Sequence, residues 1–255
     1  DNPFLVMSKS FIRSSSIVSA MTFISRILGL IRDFVIARLF GANEITDAFL
    51  VAFRIPNFFR RLFAEGAFSQ AFLPILAETK ANENDIEVQL VINHIATRLL
   101  SVLMIITLIA VVVAPLVIFI FAWGFYFKAD SSQFNLASDM LRITFPYLLL
   151  ISLTALSGSI LNTYDNFTVP AFTPVLLNIS LILSAIYLSQ NLNNPIMALA
   201  WGVLIGGIVQ LAFQIPFLRK IKKLPKLQFG HHKTIDTLKK RMLPALFGVS
   251  VSQIN

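Results

Sequence analysis

SIVSAMTFISRILGLIRDFVIARLF, residues 16–40, is long and apolar enough to cross a bilayer, yet Arg26 and Arg32 interrupt its interior and Asp33 stands beside the second. An arginine at the centre of a membrane helix costs roughly 2.5–3.5 kcal/mol on insertion scales, so it normally faces a partner or a water-filled cavity rather than acyl chains. The following segment carries Arg54, Arg60, Arg61 and Glu65. Several cations on two consecutive membrane helices predict a hydrated, positive chamber built for an anion.

The rest of the chain supplies the membrane around that chamber. Its 255 residues are 56% hydrophobic and only 13% charged, with a mean hydropathy of +0.76. A soluble domain needs far more surface charge. Apolar runs of about 20 residues recur, each sufficient for a hydrocarbon core about 30 Å thick, and they lack the alternation of barrel strands. The fold class is an all-α polytopic membrane protein. Six spans are predicted at 16–40, 46–63, 91–122, 137–163, 169–189 and 195–218, with a seventh helix beginning near Thr234. The apolar segment 67–76 extends the second helix past a bend, for which Pro56, Gly66 and Pro74 are the candidates.

The predicted organisation is a cytoplasmic N-terminal segment (1–15), a six-helix transmembrane lobe (16–218), a basic cytoplasmic loop (219–233) and the start of a seventh helix (234–255). The last stretch, LPALFGVSVSQIN, stops inside an apolar run with no cap, so a fragment is expected. The net charge of +8 has one origin: residues 219–241 hold nine Lys or Arg against a single acid, Asp236. The positive-inside rule explains such a loop without a nucleic-acid partner, and places it and the N-terminus in the cytoplasm.

Much chemistry is excluded. The chain has no cysteine, hence no disulfide or thiolate site. His231 and His232 lie in the basic loop and read as solvated rather than as metal ligands, because neither a carboxylate nor a third histidine lies nearby in sequence. Walker, GxSxG, HExxH and EF-hand patterns are absent, which leaves ATP hydrolysis and hydrolytic catalysis without support. A transporter needing no cofactor or metal is expected, not an enzyme.

At about 100° per residue, Arg26 and Asp33 fall nearly on one helix face, Arg32 lies about 120° from Arg26, and Gly29 leaves room between them for a neighbour or ligand. On the second helix Asp47, Arg54 and Arg61 recur every seven residues and share a face, while Arg60 points about 100° aside. Glu65 has the spacing for an ion pair with Arg61. Periodicity favours Arg54 and Arg61 as the inward pair, although Pro56 can re-aim the residues beyond it. The plainer alternative is that some of these arginines snorkel to headgroups, while Arg32–Asp33 and Arg61–Glu65 neutralise one another. Arginine's planar fork suits phosphate or carboxylate, and a phosphate-bearing cargo fits better than a cationic drug.

The run SRILGLIRDFVIARLFGANEITDAFLVAFRIPNFFRRLFAEGAFSQAFLPILAE, residues 25–78, resembles the MurJ (MviN) family of bacterial lipid II flippases, and residues 243–255 resemble that family's seventh helix. The resemblance implies the N-terminal six-helix lobe of a multidrug/oligosaccharidyl-lipid/polysaccharide exporter-type fold in the bacterial inner membrane. It implies alternating access that moves lipid II, the undecaprenyl-pyrophosphate-linked disaccharide-pentapeptide, to the outer leaflet for peptidoglycan synthesis. Arg26, Arg32 and Arg60 match the family's cavity arginines, so the family selects Arg60 where periodicity selects Arg54. Asp33, Asp47, Arg61 and Glu65 match supporting or gating charges, and Arg54 joins them. Membrane lipids and cell-wall synthesis enzymes are the other expected partners. The rival readings are an O-antigen or drug exporter of the same fold, and a membrane scaffold for cell-wall enzymes.

Overall fold

Gly41 and Asn43 end the first helix and begin the second. Gly41 sits at φ +73°, the left-handed conformation that terminates helices and that glycine adopts without strain. Asn43 donates to the Phe40 carbonyl at 2.9 Å and accepts from the backbone N–H groups of Ile45 and Thr46 at 3.1 and 3.0 Å. It thus satisfies donors left open at the new helix's start. Arg38 in the last turn of the first helix, and Glu44 and Asp47 in the first turn of the second, complement the helix dipoles.

The computed structural model describes residues 3–127, 132–230 and 232–254, with side chains described except at 3–15, 63–65 and 249–254. Helix α1 spans Pro3–Phe40 and α2 Glu44–Phe59, which passes through a wide π-helical stretch, Arg60–Phe68, into α3, Ser69–Asn82. Then follow α4 (Asp85–Val112), α5 (Ala114–Phe121), the short α6 (Trp123–Tyr126), α7 (Ser132–Thr144), α8 (Tyr147–Thr163), α9 (Thr168–Leu183), α10 (Met197–Lys220) and α11 (Lys233–Ile254). Among the described residues, Asp85–Val112, Ser132–Thr163, Thr168–Asn191 and Met197–Lys220 are long and apolar enough to cross a membrane. The apolar runs of α1 and α2 are those the arginines interrupt. Large side chains such as Ile105, Leu108, Ile109 and Ile120 are exposed, as lipid-facing residues are.

Several expected boundaries move. The first helix extends back to Pro3 rather than starting at 16. The third span breaks at Val113, two residues before Pro115, and the fourth at Phe145–Pro146, because proline gives no N–H to the preceding turn. The segment 78–87, left between the predicted 67–76 and 91–122, is helical at both ends: α3 runs to Asn82, and Asn84 caps α4 by accepting from the Glu87 N–H at 2.9 Å. Residues 67–76 do continue the second helix, through the π-helical stretch 60–68.

Pro56 sits inside α2 without breaking it. Its missing N–H leaves the Ala52 carbonyl without its helical donor, and the fully buried Thr144 of α7 supplies one, Oγ1 to the carbonyl at 2.9 Å. Elsewhere close packing is set by glycine. A Cβ at Gly207 of α10 would fall 2.7 Å from the Tyr147 ring, and one at Gly206 would fall 2.7 Å from Leu177. The small residues therefore let α10 seat against α8 and α9.

The basic segment after α10 is a loop docked on α4, with Lys223 buried while Lys222 and Lys226 stay exposed. Its backbone lies along a stripe of α4 formed by Asp85, Gln89, Asn93 and Thr97, spaced four apart. Gln89 donates to the Leu224 carbonyl at 3.0 Å, the Lys226 N–H donates to Asn93 at 2.9 Å, and the Gln228 N–H to Thr97 at 2.8 Å. Lys223 is 2% exposed and pairs with the Asp85 carboxylate at 2.5 Å. Its ammonium and that of Lys80 also lie over the Tyr164 ring, at 5.9 and 4.3 Å. Burial pushes the Tyr164 phenol up, against the opposing pull of Lys223. His232, expected in solvent, approaches Glu87 at 3.2 Å and stacks on His94 with ring centroids 5.2 Å apart. His231 lies outside the described residues.

Candidate functional site

Arg32 is held on three sides. Its Nε and Nη2 donate to the Asp33 carboxylate at 2.9 and 2.7 Å, and its Nη1 donates across the helix interface to Asn178 Oδ1 at 2.9 Å. Asn178 is 6% exposed on α9 and spends its own Nδ2 on the Ser25 carbonyl, 3.0 Å away. One amide therefore ties α9 to α1 at two points a helical stretch apart. Gly29 sits between those points, and a Cβ there would lie 3.8 Å from Asn178 Nδ2, so its space is taken by the neighbouring helix. Arg32 keeps 23% of its side-chain surface and Asp33 65%. The pair is thus partly wetted, and the net charge of the couplet is near zero.

Arg26 is exposed on the same helix, six residues and therefore about 9 Å along the axis from Arg32. The second cationic group lies on α2. Arg54 and Arg61 line an open cavity of 430 Å³ together with Leu50, Phe53, Asn57 and Phe58. The face-sharing expected of Arg54 and Arg61 is thus present, despite Pro56 between them. Arg60 is half-buried and its Nε donates to Asn57 Oδ1 at 3.2 Å, so Asn57 stands between the family-selected arginine and the pair chosen by periodicity.

The supporting residues divide. Asp47 is exposed in the first turn of α2, where its carboxylate suits the helix dipole. Glu65, expected as a partner for Arg61, lies outside the described side chains. Arg142 pairs with Asp139 at 2.6 Å on an exposed face. Charge spacing alone does not mark Asn57 and Asn178 as site residues. The signal for both is nonetheless present in the chain, since an amide inside an apolar helix needs a partner, and the arginines are partners in want of one. Among the described residues no cluster of His, Asp and Glu could hold a metal ion.

The helices that bear these charges lie on separate flanks: α1 packs chiefly on α9, while α2 and α3 pack on α7 and α8. A lobe of apolar helices whose two leading helices carry arginines on separate flanks belongs to the class of exporter-type membrane transporters. The family described as "Lipid II flippase MurJ" matches residues 36–255, and the chain belongs to that family, whose members are transporters rather than enzymes. It is 48% identical over 98% of its length to a probable lipid II flippase MurJ of Vibrio cholerae serotype O1, covering 49% of that protein. It is 43% identical over 93% of its length to the lipid II flippase MurJ of Burkholderia cenocepacia, covering 47%. The chain spans about half the length of the curated relatives it matches.

Solved structures agree on the architecture. A lipid II flippase MurJ in an inward closed conformation superposes with a TM-score of 0.71 at 29% identity, over 93% of this chain and 48% of that one. A MOP superfamily transporter from Pyrococcus furiosus gives 0.68 at 16% identity, over 96% and 52%. The second likeness concerns the fold alone.

Proposed function

We propose that this chain is the N-terminal half of a lipid II flippase of the bacterial inner membrane, with its N-terminus in the cytoplasm. Residues 16–218 form the transmembrane lobe, 219–233 the cytoplasmic linker and 234–255 the start of the seventh helix. The diphosphate of lipid II binds the guanidinium groups of Arg26, Arg32 and Arg60, with Arg54 and Arg61 adding positive potential. Asp33 and Asn178 aim Arg32; Asp47 and Glu65 contribute gating charge. The headgroup enters the cavity while the undecaprenyl tail stays in lipid, reaching it between helices. Rocking of this lobe against the C-terminal lobe then exposes the site to alternate sides. No covalent bond changes.

The observation that carries this reading is membership of the flippase family, together with an arginine fixed by a buried amide at membrane depth. Arginine stays charged at any relevant pH and its fork matches a diphosphate bidentately. Cell-wall synthesis enzymes are proposed as neighbours in the membrane. The deciding experiment replaces Arg26, Arg32 and Arg60 singly by Ala in the complete protein and measures lipid II on the outer leaflet at matched expression. A loss of tenfold or more is expected for each variant, and undiminished exposure in all three would falsify the arginine site.

A further inference from the structure

We infer that the cavity bounded by α3, α8, α9 and α10 is a subsite for an uncharged group rich in O–H and N–H donors, such as the sugar portion of the cargo headgroup. This rests on the flippase reading and extends it to a part of the cargo that the arginines cannot recognise.

The cavity encloses 530 Å³, within the roughly 300–1,000 Å³ usual for small-molecule sites. Gln70, Thr154, Ser159, Asn162, Thr173 and Gln214 place polar groups in a mainly apolar wall, and among the described residues no charged side chain lines it. The hydroxyls face it in one sense only. Thr154, Ser159 and Thr173 each donate to a carbonyl of their own helix, Leu150, Ala155 and Pro170, at 2.9, 2.9 and 2.8 Å. Their remaining capacity is to accept.

Gln214 reinforces that polarity. It is 1% exposed, lines the cavity, and its Oε1 has no hydrogen-bond partner among the described residues. One turn earlier on α10, Gln210 donates to the Thr173 carbonyl at 2.8 Å, and its Oε1 is likewise unpartnered there. Leaving a buried acceptor unsatisfied costs about 1–3 kcal/mol. Of the two, only Gln214 lines the cavity, and its oxygen marks a place for a donor. Pro74 deepens the pattern, since it offers no N–H to the Gln70 carbonyl.

An uncharged lining of hydroxyls and carboxamides holds no cation to pair with a diphosphate and no carboxylate to neutralise a cation. Sugar hydroxyls and amide N–H groups suit it. Its position agrees. Pro170, Thr173 and Pro174 precede Asn178 on α9 by four to eight residues, or about 6–12 Å along the axis. A sugar joined directly to a diphosphate at Arg32 reaches that far. Both α3 and α9 contribute to its wall.

The absence of cysteine in this half gives a direct test in the complete protein, with any other cysteines replaced by Ala. Ser159→Cys reports on the cavity and Leu50→Cys on the arginine cavity. Maleimide labelling is timed with undecaprenyl diphosphate and with the same lipid carrying its disaccharide-pentapeptide. The sugar-bearing lipid alone is expected to slow labelling of S159C tenfold or more, while both lipids slow L50C. Equal protection of S159C by both lipids, or by neither, overturns the subsite. If L50C is also unprotected by either lipid, the flippase reading falls with it; protection of L50C alone sinks only the subsite. A second variant, Gln214→Leu, keeps the volume and removes the acceptor. It is expected to weaken binding of the sugar-bearing lipid about tenfold and leave undecaprenyl diphosphate unaffected, and an unchanged affinity for both also overturns the proposal.

Discussion

Arg32 Nη1 donates to Asn178 Oδ1 at 2.9 Å, so the orientation of a guanidinium on α1 is set by a buried amide on α9, 146 positions away in the chain. Replacing Asn178 by Leu keeps the bulk but strips the acceptor from Arg32 and the donor from the Ser25 carbonyl. Thermal unfolding of the full-length protein should shift by the equivalent of about 1–3 kcal/mol, and flipping should fall about tenfold. Asn178→Asp separates the two effects. It keeps an acceptor for Arg32 but adds a second carboxylate beside Asp33, so transport should drop further than stability. Normal transport in N178L would show that this amide does not position Arg32.

Arg54 and Arg61 share a cavity with Asn57 between them, while Arg60 turns its Nε onto that same asparagine. A hydrogen bond to a charged group is worth roughly 1.5–3 kcal/mol. Arg61→Ala should therefore weaken binding of a diphosphate lipid by about 10- to 100-fold if Arg61 touches it. If Arg61 acts only through its field, the loss is smaller, is recovered by Arg61→Lys, and vanishes at high salt. Titrating undecaprenyl diphosphate against R61A and R61K at low and high salt reads the difference directly.

The membrane class was legible because hydrophobic runs of bilayer length report on the solvent, not on tertiary contacts. The arginines stood out for the same reason. What the sequence pattern hid was pairing at a distance. Nothing in local spacing tells that Asn178 meets Arg32, or that Thr144 meets Ala52, since these depend on which helix packs on which. The linker misled for another reason. Its lysines predict solvent, yet the stripe of Asp85, Gln89, Asn93 and Thr97 on α4 supplies backbone partners that a charge count does not reveal. Periodicity on α2 was informative across Pro56 because the freed carbonyl is satisfied from α7 and the turn is preserved.

The Lys223–Asp85 pair is lopsided: the ammonium is 2% exposed and the carboxylate 81%. Removing the carboxylate strands a buried cation, while removing the cation leaves an acid that water already solvates. Breaking a fully buried pair costs roughly 3–5 kcal/mol. Lys223 retains the Asp85 carbonyl at 3.1 Å, so Asp85→Ala should cost about 2–3 kcal/mol. Lys223→Met should cost under about 1 kcal/mol, as for an exposed partner. D85A must therefore melt at a lower temperature than K223M, and the reverse order would mean that the linker is not anchored through this ammonium.

Thr144 donates to the Ala52 carbonyl at 2.9 Å within a site that is 0% exposed at both residues. That carbonyl is open only because Pro56, four residues on, has no N–H. In the parent protein, Thr144→Val should destabilise by about 1–2 kcal/mol, since a buried acceptor loses its donor. Pro56→Ala supplies an N–H in the helical position, so Thr144→Val in that background should be close to neutral. The double-mutant cycle over these two positions should return a coupling of about 1 kcal/mol. Additive effects would mean that the threonine is merely packed in place and does not serve the carbonyl that Pro56 leaves open.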